Sequence, residues 1–384
     1  DSIRLMGSKL AAKEAVKKFD IPLVPGLERA VRDVAEAKWV ASEIGYPVLI
    51  KASAGGGGKG MRIVHSPEEL PEQMERAVSE ARSAFGDGAV FIEKYIASPR
   101  HVEIQVLADA HGNTVHLYER ECSIQRRHQK VVEEAPSAVL TPAVRRAMGR
   151  AAVRVAQACN YLGAGTVEFL VDEELNFYFL EMNTRLQVEH PVTECITGLD
   201  LVEQQIRIAR GEPLAFSQDS IPLRGHAIEL RVYAENPFQN FLPNVGRLER
   251  YRPPQGAGIR LDSGYEEGLE VPIYYDPLIA KLITWGESRE AAIRRMREAI
   301  LGFEIEGVVT TLPFGRFVME HPAFVEGKFD THFVEQHFTP EVIQEMQRAE
   351  AEVAAAVAAH WFRKEWARLR LPGASPSRWP LRKR

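Results

Sequence analysis

The sequence predicts a mixed α/β protein of the α+β type, made of two or three globular units. The chain has 384 residues, of which 45% are hydrophobic, and this is enough material for more than one buried core. Up to about residue 215, short alternating apolar segments are interleaved with Ala- and Glu-rich helical segments. Beyond residue 225 the pattern becomes β-rich, and the last fifty or so residues are helical in composition.

Composition narrows the function classes. Lys and Arg total 48 against 53 Asp and Glu, and the net charge of -5 gives no reason to expect a nucleic-acid partner. The cysteines, Cys122, Cys159 and Cys195, are far apart and lack CxxC spacing, which fits a reducing cytoplasm. No apolar run predicts a membrane span, and the charged first residues are unlike a signal peptide. Because the chain opens with Asp1, we expect a truncated or processed product.

The first half reads as alternating helices and strands. The segment 8–19 has helical spacing behind a Ser cap, and Pro22, Pro25 and Gly26 end it. The patterns that follow predict strands at 46–51, 61–65 and 89–96, a hairpin at 101–109 and 113–121, a second hairpin at 165–183, and helices at 67–84, 142–159 and 199–211.

The second half begins after a predicted linker at 216–225. A β-rich unit then extends to about residue 335 and contains one clear helix at 288–300. From Thr339 a long Ala- and Glu-rich helix is predicted to end near Pro372, leaving a basic tail.

A glycine-rich loop follows Lys51 in the segment KASAGGGGKG. It contains GxGxxG at Gly55, Gly57 and Gly60, but it runs into β-like MRIVH, whereas a dinucleotide fingerprint must open a helix. A Walker A loop is excluded because Lys59 is followed by glycine. We therefore expect a flexible loop whose backbone N–H groups cover a triphosphate. A floppy hairpin without a ligand is the alternative, although four consecutive glycines cost substantial folding entropy.

Two glutamates are predicted to face each other across the second hairpin. If Asp172 and Phe177 close the turn, Glu168 lies opposite Glu181, with Cβ atoms about 4.5–5.5 Å apart. The apolar neighbours indicate a buried sheet, where a divalent cation would offset the repulsion and Asn183 would add an oxygen. A solvated pair at a sheet edge, or a register shifted by one residue, remains the alternative.

Two segments concentrate cationic and polar groups that suit small anions. They are ERECSIQRRHQKVVEEAPS (119–137) and MNTRLQVEHPVTE (182–194). Single arginines of this kind are more often surface ion-pair partners. His128 and His190 lack the helical or cysteine partners of a zinc site.

These residues resemble the ATP-grasp superfamily and, within it, biotin carboxylase. The resemblance runs from the first residues to about 335 and rests on IRLMGSK, GYPVLIKASAGGGGKGM, FIEKYI, RHVEIQVLAD, RRHQKVVEEAP, YFLEMNTRLQVEHPVTE, GHAIELRVYAENP and YYDPLIAKLI. It implies an ATP-grasp fold with a mobile Gly-rich lid, followed by a β-rich biotin carboxylase carboxy-terminal domain and a helical tail. The implied divisions are a lead-in helix at 1–22, a lid subdomain at 23–96, a catalytic subdomain at 97–223, the carboxy-terminal domain at 224–336, and the tail with its basic end at 337–384.

The resemblance also implies site residues. Lys94 and Ile96 read the adenine through their backbone. The implied ATP-binding residues are Lys9, Lys51, Gly55, Gly56, Gly57, Gly58, Gly60, Met61, Glu93, Lys94, Ile96, His101, Gln125, His128 and Leu170. The implied metal ligands are Glu168 and Glu181, with Asn183 adjoining. The implied bicarbonate pocket consists of Lys130, Arg185, Gln187 and Val188. Glu189 is the implied catalytic base, and Arg231 faces the ureido oxygen of biotin.

The implied reaction is the ATP-dependent carboxylation of biotin with bicarbonate, through carboxyphosphate. Its cofactors are ATP, Mg²⁺ or Mn²⁺, and biotin on a carrier protein. Carboxyltransferase subunits and a second copy of the chain, in a homodimer, are the expected partners. No Met-Lys-Met biotinylation site occurs, so biotin is expected on another polypeptide or segment. The final acceptor, acetyl-CoA, propionyl-CoA or pyruvate, stays open.

Two other functions compete with this interpretation. One is a bicarbonate-activating ligase of the carbamoyl-phosphate synthetase type, against which Arg231 and the β-rich second half argue. The other is a non-catalytic nucleotide-binding assembly module. The second gains support because the Rossmann-like amino-terminal domain that the family normally carries is not found in this sequence.

Overall fold

The computed structural model describes residues 1–7, 9–27, 29–53 and 60–368. The predicted cap Ser8, the loop positions Gly55 to Gly58 with Lys59, and the basic end after residue 368 lie outside these ranges. The described part of the chain divides into a large unit, Asp1–Val334, and a second unit that begins at Glu335.

The elements alternate as a mixed fold requires, so the predicted α/β class is confirmed. The helices are α1 (Ser2–Met6), α2 (Lys9–Lys17), α3 (Val34–Ile44), α4 (Leu70–Phe85), α5 (Pro142–Ala158), α6 (His190–Thr197), α7 (Leu201–Ala209), α8 (Arg289–Leu301), α9 (Leu312–Glu320), α10 (Pro322–Val325), α11 (Phe333–His337) and α12 (Pro340–Arg368). The strands are β1 (Val48–Ala52), β2 (Met61–Val64), β3 (Val90–Lys94), β4 (Arg100–Ala108), β5 (Thr114–Arg126), β6 (Gln129–Ala135), β7 (Gly163–Val171), β8 (Phe177–Asn183), β9 (His226–Tyr233), β10 (Glu235–Asn236), β11 (Leu242–Pro243), β12 (Gly246–Arg247), β13 (Arg250–Arg252), β14 (Ile259–Ser263), β15 (Glu270–Val271), β16 (Leu278–Gly286) and β17 (Glu304–Glu306). Short 3₁₀ helices cover Gln218–Ser220 and Pro237–Gln239.

A small antiparallel sheet of order β2-β1-β3 forms the region predicted as the lid. Alternate residues of β1, beginning with Val48 and Ile50, are buried against helices α3 and α4. The other face of β1 carries Lys51, so the period-two pattern of the strand places this lysine opposite the apolar core. Gly60 precedes β2 with φ +70°, and a Cβ there would lie 2.9 Å from the Cβ of Ala52. Glycine is therefore required where the loop rejoins the sheet.

The large sheet has eight strands in the order β14-β16-β9-β6-β5-β4-β7-β8, with antiparallel neighbours throughout. Helix α5 packs against β4, β5 and β7 and buries Met148 and Val155 in a core with Val102 and Val167. Strand β6, from the predicted catalytic subdomain, pairs with β9 of the predicted carboxy-terminal domain. The strands on both sides of the predicted boundary at 223/224 thus share one sheet, and the division into domains stays a prediction.

The hairpin of β7 and β8 has Glu168 directly opposite Glu181, as the sequence predicted. The predicted turn was wrong by one residue, because Phe177 faces Val171 rather than Asp172. Asp172 shapes the turn by accepting hydrogen bonds from the backbone and side chain of Asn176 at 2.8 and 3.0 Å. An irregularity between Glu168 and the following residue then shifts the register back.

The second unit is dominated by helix α12. Its exposed apolar side chains include Val357, Trp361 and Trp366, and the rings of Phe362 and Trp366 stack with centroids 5.7 Å apart. No helix in the described part of the chain has both the length and the apolar composition that crossing a bilayer requires.

Helix α5 approaches the sheet closely at Gly149. A Cβ added there would lie 2.4 Å from Nε2 of the buried His116 on β5. We expect Gly149→Ala to lower the free energy of unfolding by about 1–3 kcal/mol, because overpacking outweighs the gain in helix propensity. Gly302→Ala is the matched control, since its nearest neighbour would be at 3.5 Å and its φ of -86° suits alanine. Urea denaturation of both variants measures the difference, and equal stabilities would contradict the close packing.

A buried carboxylate joins β6, β9 and α8. Glu134 accepts hydrogen bonds from Nε2 of His226 at 2.7 Å and from Nε of Arg289 at 2.7 Å. Burial would raise the pKa of Glu134, but His226 and Arg289 outweigh it and hold the pKa below its usual value. The contact therefore stabilises the fold at neutral pH.

We expect Glu134→Gln to destabilise the protein by about 3–5 kcal/mol at pH 7, because Arg289 loses its buried partner. Since the pKa is depressed in the folded state, the stabilisation is present above about pH 4.3, the ordinary value for Glu, and is lost as the pH falls further. The deficit of the variant should thus shrink in urea titrations repeated at acidic pH. Glu304→Gln, on an exposed ion pair with Arg250, is the control and should change stability little.

Candidate active site

A row of carboxylates crosses one face of the large sheet. Glu103 on β4 lies opposite Glu168 on β7, which in turn lies opposite Glu181 on β8. Glu103 is fully buried and Glu168 is 4% exposed. The sequence analysis missed Glu103, although a charged residue in the middle of the otherwise apolar strand RHVEIQVLA was a usable signal. Three neighbouring carboxylates of this kind require cations.

Lys130 supplies the central positive charge. Its ammonium group contacts Glu103 Oε2 at 2.5 Å, Glu168 Oε1 at 3.0 Å and Glu189 Oε1 at 2.6 Å. Burial would lower the pKa of Lys130, but Glu103 and the other carboxylates outweigh it and hold the pKa well above its ordinary value. Lys130 therefore remains charged and ties β4, β7 and the residue before helix α6 together.

A second cation, Arg120 on β5, lies beneath the row and is fully buried. Its Nε donates to Glu103 Oε1 at 2.6 Å. The remaining donors of its guanidinium bind neutral oxygens of Gln105, Thr193, Thr166 and Gln187 at 2.8–3.1 Å. Arg120 is thus committed to the scaffold and leaves the upper side of the carboxylates to other groups.

Glu168 is the most surrounded member of the row. Its Oε1 accepts hydrogen bonds from Asn183 Nδ2 and Gln187 Nε2, both at 2.9 Å, and His101 Nε2 lies 3.1 Å from Oε2. Burial would raise the pKa of Glu168, but His101 and Lys130 outweigh it and hold the pKa well below its usual range. Glu168 is therefore an anionic oxygen ligand at neutral pH.

This donor set fits a divalent cation. Nε2 of His101 and carboxylate oxygens of Glu103 and Glu168 lie within 4.8 Å of one another. Oxygen ligands from carboxylates and an amide match Mg²⁺, which keeps the remaining positions for water or phosphate. Glu181 and Asn183, on the adjacent strand, can complete the site.

Glu189 and Arg231 extend the cluster toward β9. Arg231 Nη2 donates to Glu189 Oε2 at 2.9 Å, and its Nε donates to Glu133 Oε1 at 2.6 Å. Burial would raise the pKa of Glu189, but Lys130 and Arg231 outweigh it and hold the pKa well below its usual range. Both oxygens of Glu189 are therefore bound by cations, one by Lys130 and the other by Arg231.

The described nucleotide-site residues gather on the lid sheet. Lys51 Nζ lies 2.7 Å from Glu93 Oε2, and Lys13 pairs with the other oxygen of this buried carboxylate. Lys51 is also directly opposite Met61 on β2. Lys94 Nζ donates to the Gly45 carbonyl at 2.9 Å, so its side chain is engaged in the scaffold while Ile96 follows the strand end. Lys13 was not recognised from the sequence.

Other predicted residues lie at the margins of the cluster. Arg185 is exposed, and within the described ranges its guanidinium bonds only to the Leu186 carbonyl, at 3.2 Å. His128 is exposed in the tight turn between β5 and β6, where it has φ +65°. The side chain of Gln125 donates to the Cys122 carbonyl. The carbonyl of Val188 accepts a hydrogen bond from Lys281, Leu170 faces His101 across β7 and β4, and Gln187 bridges Arg120 and Glu168.

A small Gly-loop sheet and a large antiparallel sheet with an acidic metal row define an ATP-grasp ligase. Two family profiles cover the chain: "Carbamoyl-phosphate synthase L chain, ATP binding domain" matches residues 8–217, and "Biotin carboxylase C-terminal domain" matches residues 229–336. The chain therefore belongs to the biotin carboxylase family of ATP-dependent ligases. The second match distinguishes this family from the carbamoyl-phosphate synthetase alternative.

Individual relatives support the assignment. The propionyl-CoA carboxylase alpha chain of Ruegeria pomeroyi is 51% identical over 97% of this chain and 58% of its own length. The biotin carboxylase of Nostoc is 53% identical over 88% of this chain and 75% of its own. The biotin carboxylase domain dimer of Hydrogenobacter thermophilus 2-oxoglutarate carboxylase, solved with MgADP, ADP and bicarbonate, has a TM-score of 0.83 at 52% identity, over 89% of this chain and 75% of that one. This chain thus spans only part of the length of these proteins.

Lys130 is expected to control the ionisation of the carboxylates around it. In Lys130→Met, Glu103, Glu168 and Glu189 lose their shared cation, and their pKa values rise. Because folding then takes up protons, the loss of stability should be largest near pH 8 and shrink as the pH falls toward about 5. Thermal unfolding across this pH range measures the effect, with Lys328→Met at an exposed position as the control. A pH-independent deficit would contradict the charge balance described above.

Proposed function

We propose that this protein uses ATP to activate bicarbonate and transfers the carboxyl group to biotin held on a carrier protein. The observation that carries the proposal is the continuous chain of ion pairs from Lys130 through Glu189 to Arg231. It places a carboxylate base between two cations, beside a row of oxygen ligands suited to magnesium. Such a site can hold two anions in contact and supply a base between them.

The charge balance explains how Glu189 becomes a base. With both of its oxygens bound to cations, Glu189 is a weak base. A bicarbonate ion that takes over Lys130 and Arg231 would remove these counter-ions, so the pKa of Glu189 would rise. Glu189 then accepts the bicarbonate proton as a bicarbonate oxygen attacks the γ-phosphorus of ATP, and ADP leaves.

Carboxyphosphate, the product of this step, breaks into carbon dioxide and phosphate. The phosphate removes the ureido N–H proton of biotin, and that nitrogen adds to carbon dioxide. Arg231 would stabilise the enolate-like ureido oxygen, for which arginine is suited because it stays charged and donates in a fixed plane. Arg185, Gln187 and the Val188 backbone are proposed to complete the bicarbonate pocket. Since Arg185 is exposed in the structure, its part requires a side-chain rotation onto the anion.

Glu168, Glu181 and Asn183 would hold the magnesium or manganese ion. When bound, the cation supplies neutralisation of the phosphate charge at the site of transfer. We propose that Lys9 and Lys51 bind phosphates, that the loop Gly55 to Gly60 covers them next to Met61, and that Glu93, Lys94 and Ile96 bind the adenine. The remaining proposed nucleotide contacts are His101, Gln125, His128 and Leu170.

The partners follow from the chemistry of the relatives. Those relatives are subunits or domains of biotin-dependent carboxylases, and the Hydrogenobacter domain is a dimer. We propose a homodimer that receives biotin from a carrier protein and passes the carboxyl group to a carboxyltransferase. The match to the Ruegeria propionyl-CoA carboxylase alpha chain covers 97% of this chain, against 88% for the Nostoc biotin carboxylase. This longer match favours an acyl-CoA such as propionyl-CoA as the final acceptor.

The proposal predicts bicarbonate-dependent ATP hydrolysis that free biotin stimulates, measured on the full-length protein. Glu189→Gln should lower the biotin-stimulated rate by about 10²–10⁴-fold, because the proton acceptor is lost. The matched control is Glu203→Gln, a carboxylate on the exposed face of α7 that pairs with Arg207. Stimulation by ammonia without any effect of biotin would overturn the proposal, as would tight ATP binding without turnover.

A further inference from the structure

A second pair of facing carboxylates lies next to Arg231. Glu133 on β6 is directly opposite Glu229 on β9, and both side chains are fully buried. Facing carboxylates have Cβ atoms about 4.5–5.5 Å apart, and two buried negative charges at this separation repel strongly. The proposed function gives neither residue a role.

The two carboxylates differ in their hydrogen bonds. Glu133 Oε1 accepts the 2.6 Å hydrogen bond from Arg231 Nε. Among the described residues, Glu133 Oε2 and both oxygens of Glu229 have no hydrogen-bond partner. A buried ionised carboxylate without donors is far more costly than a neutral one, so the pair retains a proton. The proton belongs on Glu229, because Glu133 already has a cation.

We propose that Glu133 is the positioning residue that orients Arg231 toward biotin, and that Glu229 remains a neutral acid which carries the proton of the pair. This inference rests on the proposed function. Its geometric basis is that Arg231 is held at two edges, by Glu133 at Nε and by Glu189 at Nη2. When Glu189 turns to bicarbonate, Glu133 is the anion that keeps the guanidinium plane fixed.

The electrostatic surroundings agree with this assignment. Burial raises the pKa of Glu133 to about 7 in spite of Arg231, and burial together with Glu133 raises the pKa of Glu229 well above its usual value. The other charged or titratable groups that act on the pair are Glu189, Lys130, Lys281, Tyr233 and Cys195. As the pH falls through about 7, Glu133 becomes neutral and Arg231 loses this partner. Biotin-dependent turnover should therefore decrease over that range.

The matched variants Glu133→Gln and Glu229→Gln test the inference in the full-length protein. Glu133→Gln should lower kcat/KM for biotin by about tenfold or more, while bicarbonate-dependent ATP hydrolysis without biotin changes by less than about threefold. It should also abolish the acidic limb of the biotin-dependent pH profile near pH 7. Glu229→Gln, which replaces a neutral acid by a neutral amide, should stay within about twofold of the unaltered protein in both assays.

Opposite results would overturn the inference. They are an unaffected kcat/KM for biotin in Glu133→Gln, equal losses in both assays, or a Glu229→Gln variant as impaired as Glu133→Gln. If Glu133→Gln does not fold, Glu133→Asp retains the charge at a shorter reach and should lower kcat/KM for biotin selectively. An equal loss in both assays for that variant would likewise count against positioning.

An infrared measurement is independent of activity. The difference spectrum between the unaltered protein and Glu229→Gln at pH 7 should show the carbonyl band of a protonated carboxylic acid, and its absence would overturn the neutral Glu229. If biotin fails to stimulate ATP hydrolysis in the unaltered protein, the proposed function fails, whereas the infrared band still reports on the pair.

Discussion

The structure depends on the neutralisation of buried carboxylates by a few buried cations. Glu103, Glu168 and Glu189 meet at Lys130, while Arg120 supports the row from below. An unpaired charge in this interior would cost several kcal/mol, so the sheet can carry these groups only together. The same balance gives function, because a bound anion or cation redistributes the ion pairs and thereby changes which carboxylate is basic.

Placement of the cluster follows from the large sheet. Strands β4, β7 and β8 carry the carboxylate row, β6 brings Lys130, and β9 brings Arg231. Since β6 and β9 are hydrogen-bonded neighbours, the groups proposed for bicarbonate and for biotin are held on one rigid support. Rigid placement of this kind is what a reaction between two anions requires, because it prepays their alignment.

Most of the fold was predictable because its signals are local. The alternating pattern of β1 and the caps of the long helices gave elements within a few residues of those observed, as for α5, predicted at 142–159 and found at Pro142–Ala158. The strand Gln129–Ala135 was not predicted, because charged residues obscure its alternation. Its carboxylates are buried through partners far along the chain, and local patterns carry no record of such partners.

The sequence by itself determined the class of protein, the facing glutamates of the hairpin and the identity of the cationic segments, since motif residues and two-residue periodicity are written along the chain. Only the tertiary structure decided that Glu103 completes the carboxylate row, that Arg120 is a buried support, that Arg185 is exposed, and that Glu133 faces Glu229 beside Arg231. The physical reason is that charge compensation depends on distance in space, and strands separated by a hundred residues become neighbours only in the folded sheet.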